Sequence, residues 1–154
     1  METKGIIRKH PAVAALLIGS TAIAVAVASG CDKASTTDPN PPAGGQTFVL
    51  DYDVFAASIG PMLSSYGCDN ETCHGGGIRG TFELSPNGAK NLAFDFEQAR
   101  MQVNGRDPVS SPLANKPLAP ECGGPGHAGG YVFTELDDPD YLAILAWIDA
   151  GEYR

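Results

Sequence analysis

Two cysteines and a histidine lie close together in one short polar stretch, and their spacing constrains this chain more than any other feature. Four residues separate Cys68 from Cys73, and His74 follows the second cysteine directly. A C-x-x-C-H motif is typical of covalent haem attachment, in which each thiol forms a thioether and the histidine binds iron. The loop between the cysteines is two residues longer here, and the same chemistry still fits. The stretch therefore predicts a c-type haem site.

The N-terminal residues have the composition of an export signal. Basic residues in the first ten positions precede an apolar run from Ala12 to Val27, which is short for a membrane span. The run closes on Ala-Ser-Gly-Cys31, which resembles a bacterial lipobox whose cysteine is acylated. We expect residues 1–30 to be a lipoprotein signal peptide, with an uncleaved anchor helix as the alternative. Lipid on Cys31 would hold the exported chain at the cell membrane or outer membrane, facing the periplasm.

Composition divides the remaining chain into a tether and one small domain. Residues 31–47 are rich in Ser, Thr, Pro and Gly without apolar periodicity, which is typical of a flexible tether. A single domain over residues 48–154 follows. The formal net charge of the chain is −8, which argues against a nucleic-acid partner. The acidic surface either suits brief contact with a basic protein partner or only keeps the protein soluble.

Apolar periodicity predicts an all-α fold with long Gly- and Pro-rich loops. A first helix should lead into Cys68, kinked or split at Pro61. A second should cover roughly residues 91–103, and a third should begin at Asp138 as N-cap and end near Gly151. The first and third helices are expected to bury these residues: Phe55, Ile59, Met62, Leu63, Tyr66, Tyr141, Ile144, Leu145 and Ile148, with Trp147 at the edge.

Residues 105–136 have little periodicity and are predicted to form a long loop. Within it, five glycines surround His127, and glycine allows the backbone to approach a flat ligand closely. Once the signal is removed, His74 and His127 are the only histidines left. His127 is therefore the predicted second ligand on the iron, with Met101 or water as the alternative.

The cysteines leave three interpretations open. In the favoured one, Cys68 and Cys73 hold haem, which leaves Cys122 as an odd free thiol in an oxidising compartment. In the second, Cys68, Cys73, Cys122 and His127 bind a structural zinc ion. In the third, a disulfide such as Cys68–Cys122 staples a lipoprotein that binds a partner. A hybrid would combine that disulfide with haem attached through Cys73 alone.

The order of elements over about residues 50–151 resembles the class I cytochrome c fold. More narrowly, the chain is similar to the cytochrome c-like domains of planctomycete and myxobacterial exported proteins, in which C-x4-C-H is a recognised variant. The segments that carry the resemblance are Ile59-Gly60-Pro61-Met62-Leu63, Cys68 to Gly76, Ser111-Pro112-Leu113, Lys116-Pro117-Leu118, Gly126-His127-Ala128-Gly129-Gly130 and Trp147-Ile148-Asp149-Ala150-Gly151.

The resemblance implies a small cytochrome c-like fold around one covalently bound haem c. Its haem residues fall on Cys68, Cys73 and His74, whereas no methionine stands where these proteins place their distal ligand. The implied function is electron transfer with redox partner proteins, and no enzymatic activity. Phe55, Ile59, Leu145 and Ile148 are expected to pack against the ring. The alternative function is a zinc- or disulfide-stapled lipoprotein without catalytic activity.

Overall fold

The structure is a computed structural model, and it describes residues 45–154 as a mostly helical fold. This confirms the mostly α-helical character expected from the sequence, with one small sheet added. The described elements are β1 (Phe48–Val49), α1 (Tyr52–Val54), a π-helical segment (Phe55–Ile59), α2 (Gly60–Ser65), α3 (Leu92–Arg100), α4 (Pro112–Asn115), α5 (Pro139–Asp149) and β2 (Glu152–Tyr153), with 3-10 turns at Asn87–Ala89, Pro108–Ser110 and Pro120–Cys122.

The first predicted helix is divided at Pro61, as its sequence indicated. The helix begins at Asp51, whose carboxylate caps the Val54 N–H, and widens to a π-helical segment directly before the proline. Gly60 N–H donates to Phe55 O, five residues back. A proline lacks the N–H of a regular helix and its ring crowds the preceding turn, so a wider turn at this place relieves both problems.

The middle of the chain is more ordered than its composition predicted. Helix α3 ends at Arg100, three residues before the predicted end at Val103. The expectation of a structureless loop over residues 105–136 is wrong, because this segment contains α4 and two 3-10 turns. Buried apolar side chains attach this segment to the core: Leu113, Ala114, Leu118, Ala119, Cys122 and Phe133. Apolar residues scattered between prolines and glycines have no period, so the pattern gave no sign of this core contribution.

Helix α5 begins as predicted, but the face that it buries differs from the predicted one. Asp138 caps it by accepting hydrogen bonds from the N–H groups of Asp140 and Tyr141. Trp147 is only 3% exposed and its Nε1 donates to Asp51 O, whereas Leu145 is partly buried. The expectation that Trp147 marks the edge of the stripe is therefore wrong, because its ring closes the core against the start of the first helix.

The chain ends of the domain are joined by a short antiparallel sheet that the sequence did not predict. Thr47 and Arg154 exchange backbone hydrogen bonds beside the β1–β2 pair. Phe48 packs so closely under Gly105 and Gly151 that a Cβ atom on either glycine would overlap its ring. Gly151 lies outside the left-handed region, so close packing rather than helix capping requires glycine there.

The predicted signal peptide, most of the predicted tether and the predicted lipidation site Cys31 lie outside the described residues. Among residues 45–154, no helix is both long and apolar enough to cross a membrane. The cavity described next lies within residues 45–154.

Candidate functional site

An open cavity of about 590 Å³ lies between the cysteine motif and the glycine-rich loop. This volume falls within the range of small-molecule and cofactor sites. The walls are mostly apolar, and the sequence motifs contribute Cys68, Cys73, His74 and His127. The other lining residues are Leu63, Tyr66, Gly67, Arg79, Gly80, Thr81, Phe82, Gln102, Pro112, Leu113, Lys116, Pro117, Gly126, Ala128, Gly129 and Val132.

The C-x4-C-H stretch folds back on itself in a compact turn. His74 N–H donates to Cys68 O at 2.9 Å, and Cys73 N–H donates to Asn70 O at 2.8 Å. These bonds place the three functional residues on one short loop that faces the cavity. The loop closes onto the two glycines after the histidine, where a Cβ atom on Gly75 would overlap the backbone oxygen of Asp69.

Replacing Gly75 by alanine should open this turn. The clash is with backbone rather than with a flexible side chain, so we expect a loss of about 2–3 kcal/mol in the free energy of unfolding. Chemical denaturation measures it. Gly88→Ala is the matched control, because nothing lies within 4 Å of a Cβ atom there. Equal stability of the two variants would contradict the described packing of the turn.

The two cysteines of the motif are free thiols on the cavity wall. Burial, with smaller contributions from Asp69 and Cys73, raises the pKa of the Cys68 thiol to about 11. Cys68 is therefore protonated at neutral pH and is a weak nucleophile. Two partly buried thiols on the wall of one cavity are available for covalent bonds to a group that fills it.

The His74 imidazole is held in a defined orientation and in its neutral form. Its Nδ1 lies 3.1 Å from Phe82 O, and its ring packs against the Phe82 ring. A carbonyl oxygen only accepts, so Nδ1 donates the proton and the lone pair of the neutral ring lies on Nε2. Burial lowers the pKa of His74, and the hydrogen bond to Phe82 O offsets this only in part. The ring is therefore ready to bind a metal through Nε2.

His127 faces His74 from the opposite loop. Its Nδ1 lies 3.0 Å from Gly130 O, which assigns the proton to Nδ1 and the lone pair to Nε2, as in His74. Gly126 and Gly130 adopt positive φ angles of 86° and 87°, so glycine shapes the turn on both sides of the histidine. Gly129 lets the ring fold close to the loop, where a Cβ atom would crowd Cε1 of His127.

The two histidine rings are nearly parallel and close together. Their centroids are 6.0 Å apart and their planes differ by 9°. Two imidazoles that each place a nitrogen about 2 Å from one metal ion have ring centres roughly 6 Å apart. Among the described residues, no group of three or more His, Cys, Asp or Glu side chains forms a metal site. The spacing of the two rings would suit a metal ion held between them.

Other candidate ligands lie elsewhere. Met101 is 61% exposed, Met62 packs against the core, and neither lines the cavity. Cys122 is buried outside the cavity, and it is not bonded to Cys68 or Cys73, which are both free thiols. The structure brings together neither the zinc set that includes Cys122 nor a Cys68–Cys122 disulfide.

The apolar wall of the cavity differs from the one expected. Phe55, Ile59, Leu145 and Ile148 do not line it, because they belong to the core between the first helix and α5. The apolar and aromatic side chains that do line the cavity are Leu63, Tyr66, Phe82, Leu113 and Val132. Three of the four expected residues are fully buried against other side chains, so no surface remains for a ligand.

Sequence reasoning also missed the polar residues of the cavity. Arg79, Lys116 and Gln102 line it together with Tyr66, whose hydroxyl donates to Asp140 at 2.7 Å. That hydrogen bond raises the pKa of Tyr66 to about 12. Apart from the nearness of Arg79 to the motif, the sequence held no signal for these residues. The basic side chains suit a ligand that carries acidic groups.

Comparison of this chain with family models, with curated proteins and with solved structures gave no match. The resemblance to cytochrome c domains therefore depends on the residues of the chain itself. The cavity and the side chains that face it are the main guide to function.

Proposed function

We propose that this protein is an exported c-type cytochrome that transfers electrons through one covalently bound haem. The observation that carries the proposal is the convergence of four side chains in one cavity. Two free thiols, Cys68 and Cys73, share its wall with two parallel imidazoles, His74 and His127. The cavity volume and its largely apolar walls fit a planar macrocycle with an apolar body.

Each residue of the site has a distinct role in this proposal. Cys68 and Cys73 would hold the haem covalently, and His74 and His127 would bind its iron through Nε2. When bound, the haem supplies an iron that cycles between ferrous and ferric states. Phe82 O and Gly130 O keep each imidazole in the tautomer that leaves Nε2 free. Leu63, Leu113 and Val132 would exclude water from the ring.

Ligation by two protein imidazoles favours electron transfer over catalysis, because no coordination position is left for a substrate. A thioether ligand raises the haem potential, and Met101 does not line the cavity. We therefore expect a lower potential than that of a cytochrome with a methionine ligand. The described domain carries many more acidic than basic residues, which suits brief contact with a basic redox partner.

Redox spectroscopy of the exported protein tests this proposal. We expect sharp bands typical of reduced low-spin haem after addition of dithionite, and full reversal after reoxidation. Repeated cycles should leave the spectrum unchanged. A purified protein without visible absorbance, or one whose haem reacts with peroxide as a turnover catalyst, would contradict an electron-transfer function.

We also propose that Cys31 anchors the protein through lipid. Cys31→Ser should abolish acylation and release the protein from the membrane fraction, with Cys122→Ser as a control that retains the anchor. Detergent partitioning and mass spectrometry of the N-terminal peptide measure the effect. If the wild-type and Cys31→Ser proteins both stay in the membrane with residues 1–30 still attached, the anchor is an uncleaved helix.

A further inference from the structure

A fully buried carboxylate lies inside the C-x4-C-H loop. Asp69 follows Cys68 directly and is 0% exposed, and neither oxygen of its carboxylate makes a hydrogen bond. A buried charge without hydrogen bonds is costly unless an opposite charge compensates it. The nearest compensation described is Lys90, whose Nζ lies 3.2 Å from Oδ2 of Asp69, within ion-pair distance but poorly aligned for a hydrogen bond.

Lys90 connects that loop to two other parts of the fold. Its side chain is 25% exposed, and its Nζ lies 2.7 Å from Oδ2 of Asp95 on helix α3. The same atom donates to Ser85 O at 3.2 Å. An ammonium group has three donors, and here it meets three acceptors from three different segments.

Asp95 connects this network to His74 through residues 82–85. Asp95 accepts hydrogen bonds from both the N–H and the hydroxyl of Ser85. The neighbouring Leu84 N–H donates to His74 O at 2.8 Å, and Phe82 O accepts from the His74 ring. Residues 82–85 therefore hold the backbone and the ring of the histidine, and Asp95 with Lys90 holds residues 82–85.

We propose that Lys90, Asp69 and Asp95 are positioning residues that clamp the C-x4-C-H loop and the His74 ring in their haem-binding arrangement. The Lys90 ammonium joins the segment before His74, through Asp69, to the segment after it, through Ser85 and Asp95. None of the three side chains lines the cavity, so each acts through the loop rather than on the ligand. This inference rests on the proposed function of the cavity.

Removing the ammonium should release the loop. Without Lys90, two carboxylates would be buried with no described cation beside them, and their repulsion would push Asp69 out of its place. The motion would carry Cys68 with it, since the two residues are adjacent. The distance between Nδ1 of His74 and Phe82 O would then no longer be fixed.

Lys90→Met tests the clamp through two readouts in the full-length chain. The first needs no haem: the rate at which a maleimide alkylates Cys68 and Cys73 in chain produced without haem attachment. We expect a rise of about tenfold or more from local opening of the loop. The second is the ferric electron paramagnetic resonance spectrum of the exported protein, which should broaden because His74 adopts several orientations.

Matched variants separate positioning from general stability. Ile148→Ala removes a buried side chain that does not line the cavity, and it should keep alkylation and spectrum within about twofold of wild type at temperatures well below unfolding. Lys90→Arg restores the charge and should rescue both readouts. If Lys90→Met does not fold, Asp69→Asn replaces it and should speed alkylation in the same direction.

Two results would overturn the inference. One is equal alkylation by Lys90→Met and Ile148→Ala at equal loss of thermal stability, which would make the network a source of general stability only. The other is wild-type alkylation in Asp69→Asn. If the wild-type chain carries no haem, the proposed function fails, and the alkylation comparison still decides whether the clamp exists.

Discussion

The double variant Cys68→Ser/Cys73→Ser is expected to leave the exported chain without covalently bound haem. These are the free thiols among the described residues, and both line the cavity. A serine hydroxyl does not form the thioether, so the loss should be complete rather than partial. Each single variant should retain one bond and less haem than wild type. Haem absorbance measured on the polypeptide after denaturing electrophoresis gives the result.

Cys122→Ser is the control for the loss of haem. Cys122 lies outside the cavity, so its replacement should leave the haem content at the wild-type level. Its side chain is buried, so a serine in its place should lower the free energy of unfolding by about 1–3 kcal/mol. Full haem content in the double variant, or loss of haem in Cys122→Ser, would contradict the assigned attachment site.

Replacement of His127 by alanine is expected to remove the second protein ligand from the iron. Its ring is parallel to that of His74 at 6.0 Å, and both rings offer Nε2. The haem should stay bound through its cysteines, while the ferric near-infrared band typical of two imidazole ligands disappears. Most of the iron should become high-spin, and an exogenous ligand such as imidazole should restore the low-spin spectrum.

Met101→Ala is the matched control for the sixth ligand. Its side chain is exposed and does not line the cavity, so the variant should keep the wild-type spectrum. A methionine–iron charge-transfer band in the wild-type protein would contradict the assignment if Met101→Ala removes the band and His127→Ala leaves it unchanged.

The helices that obey a clear local rule could be predicted from the sequence. Asp138 and Pro139 mark the start of α5 through capping, which depends only on neighbouring residues. Pro61 likewise signals the change of helix type, because its missing N–H acts locally. The spacing of Cys68, Cys73 and His74 singles out one wall of the cavity for the same reason.

Features that depend on distant contacts could not be predicted. Trp147 enters the core because its indole reaches Asp51 O, almost a hundred residues away in the chain. Gly151 is glycine because Phe48 packs under it, although its position after a helix suggested a cap. Lys90 and Asp95 stand in no motif at all. Their role depends on the burial of Asp69, which the polar sequence around that residue did not indicate.

Local sequence patterns predicted the loop that carries His127 but not the apolar wall of the cavity. Glycines around His127 predicted a loop able to approach a flat ligand, and the structure places that histidine opposite His74. The expected apolar wall was wrong because helical periodicity identifies buried faces without telling a core from a ligand site. Leu113 and Val132 lie in segments without periodicity, so their place in the wall follows from tertiary packing alone.

Intact-mass spectrometry of the exported protein, denatured and treated with a thiol-alkylating reagent, tests the central claim most directly. If the chain binds haem covalently as proposed, the mass of the mature polypeptide should rise by one haem, and neither Cys68 nor Cys73 should be alkylated. A mass equal to that of the polypeptide alone, with both thiols alkylated, would contradict the account.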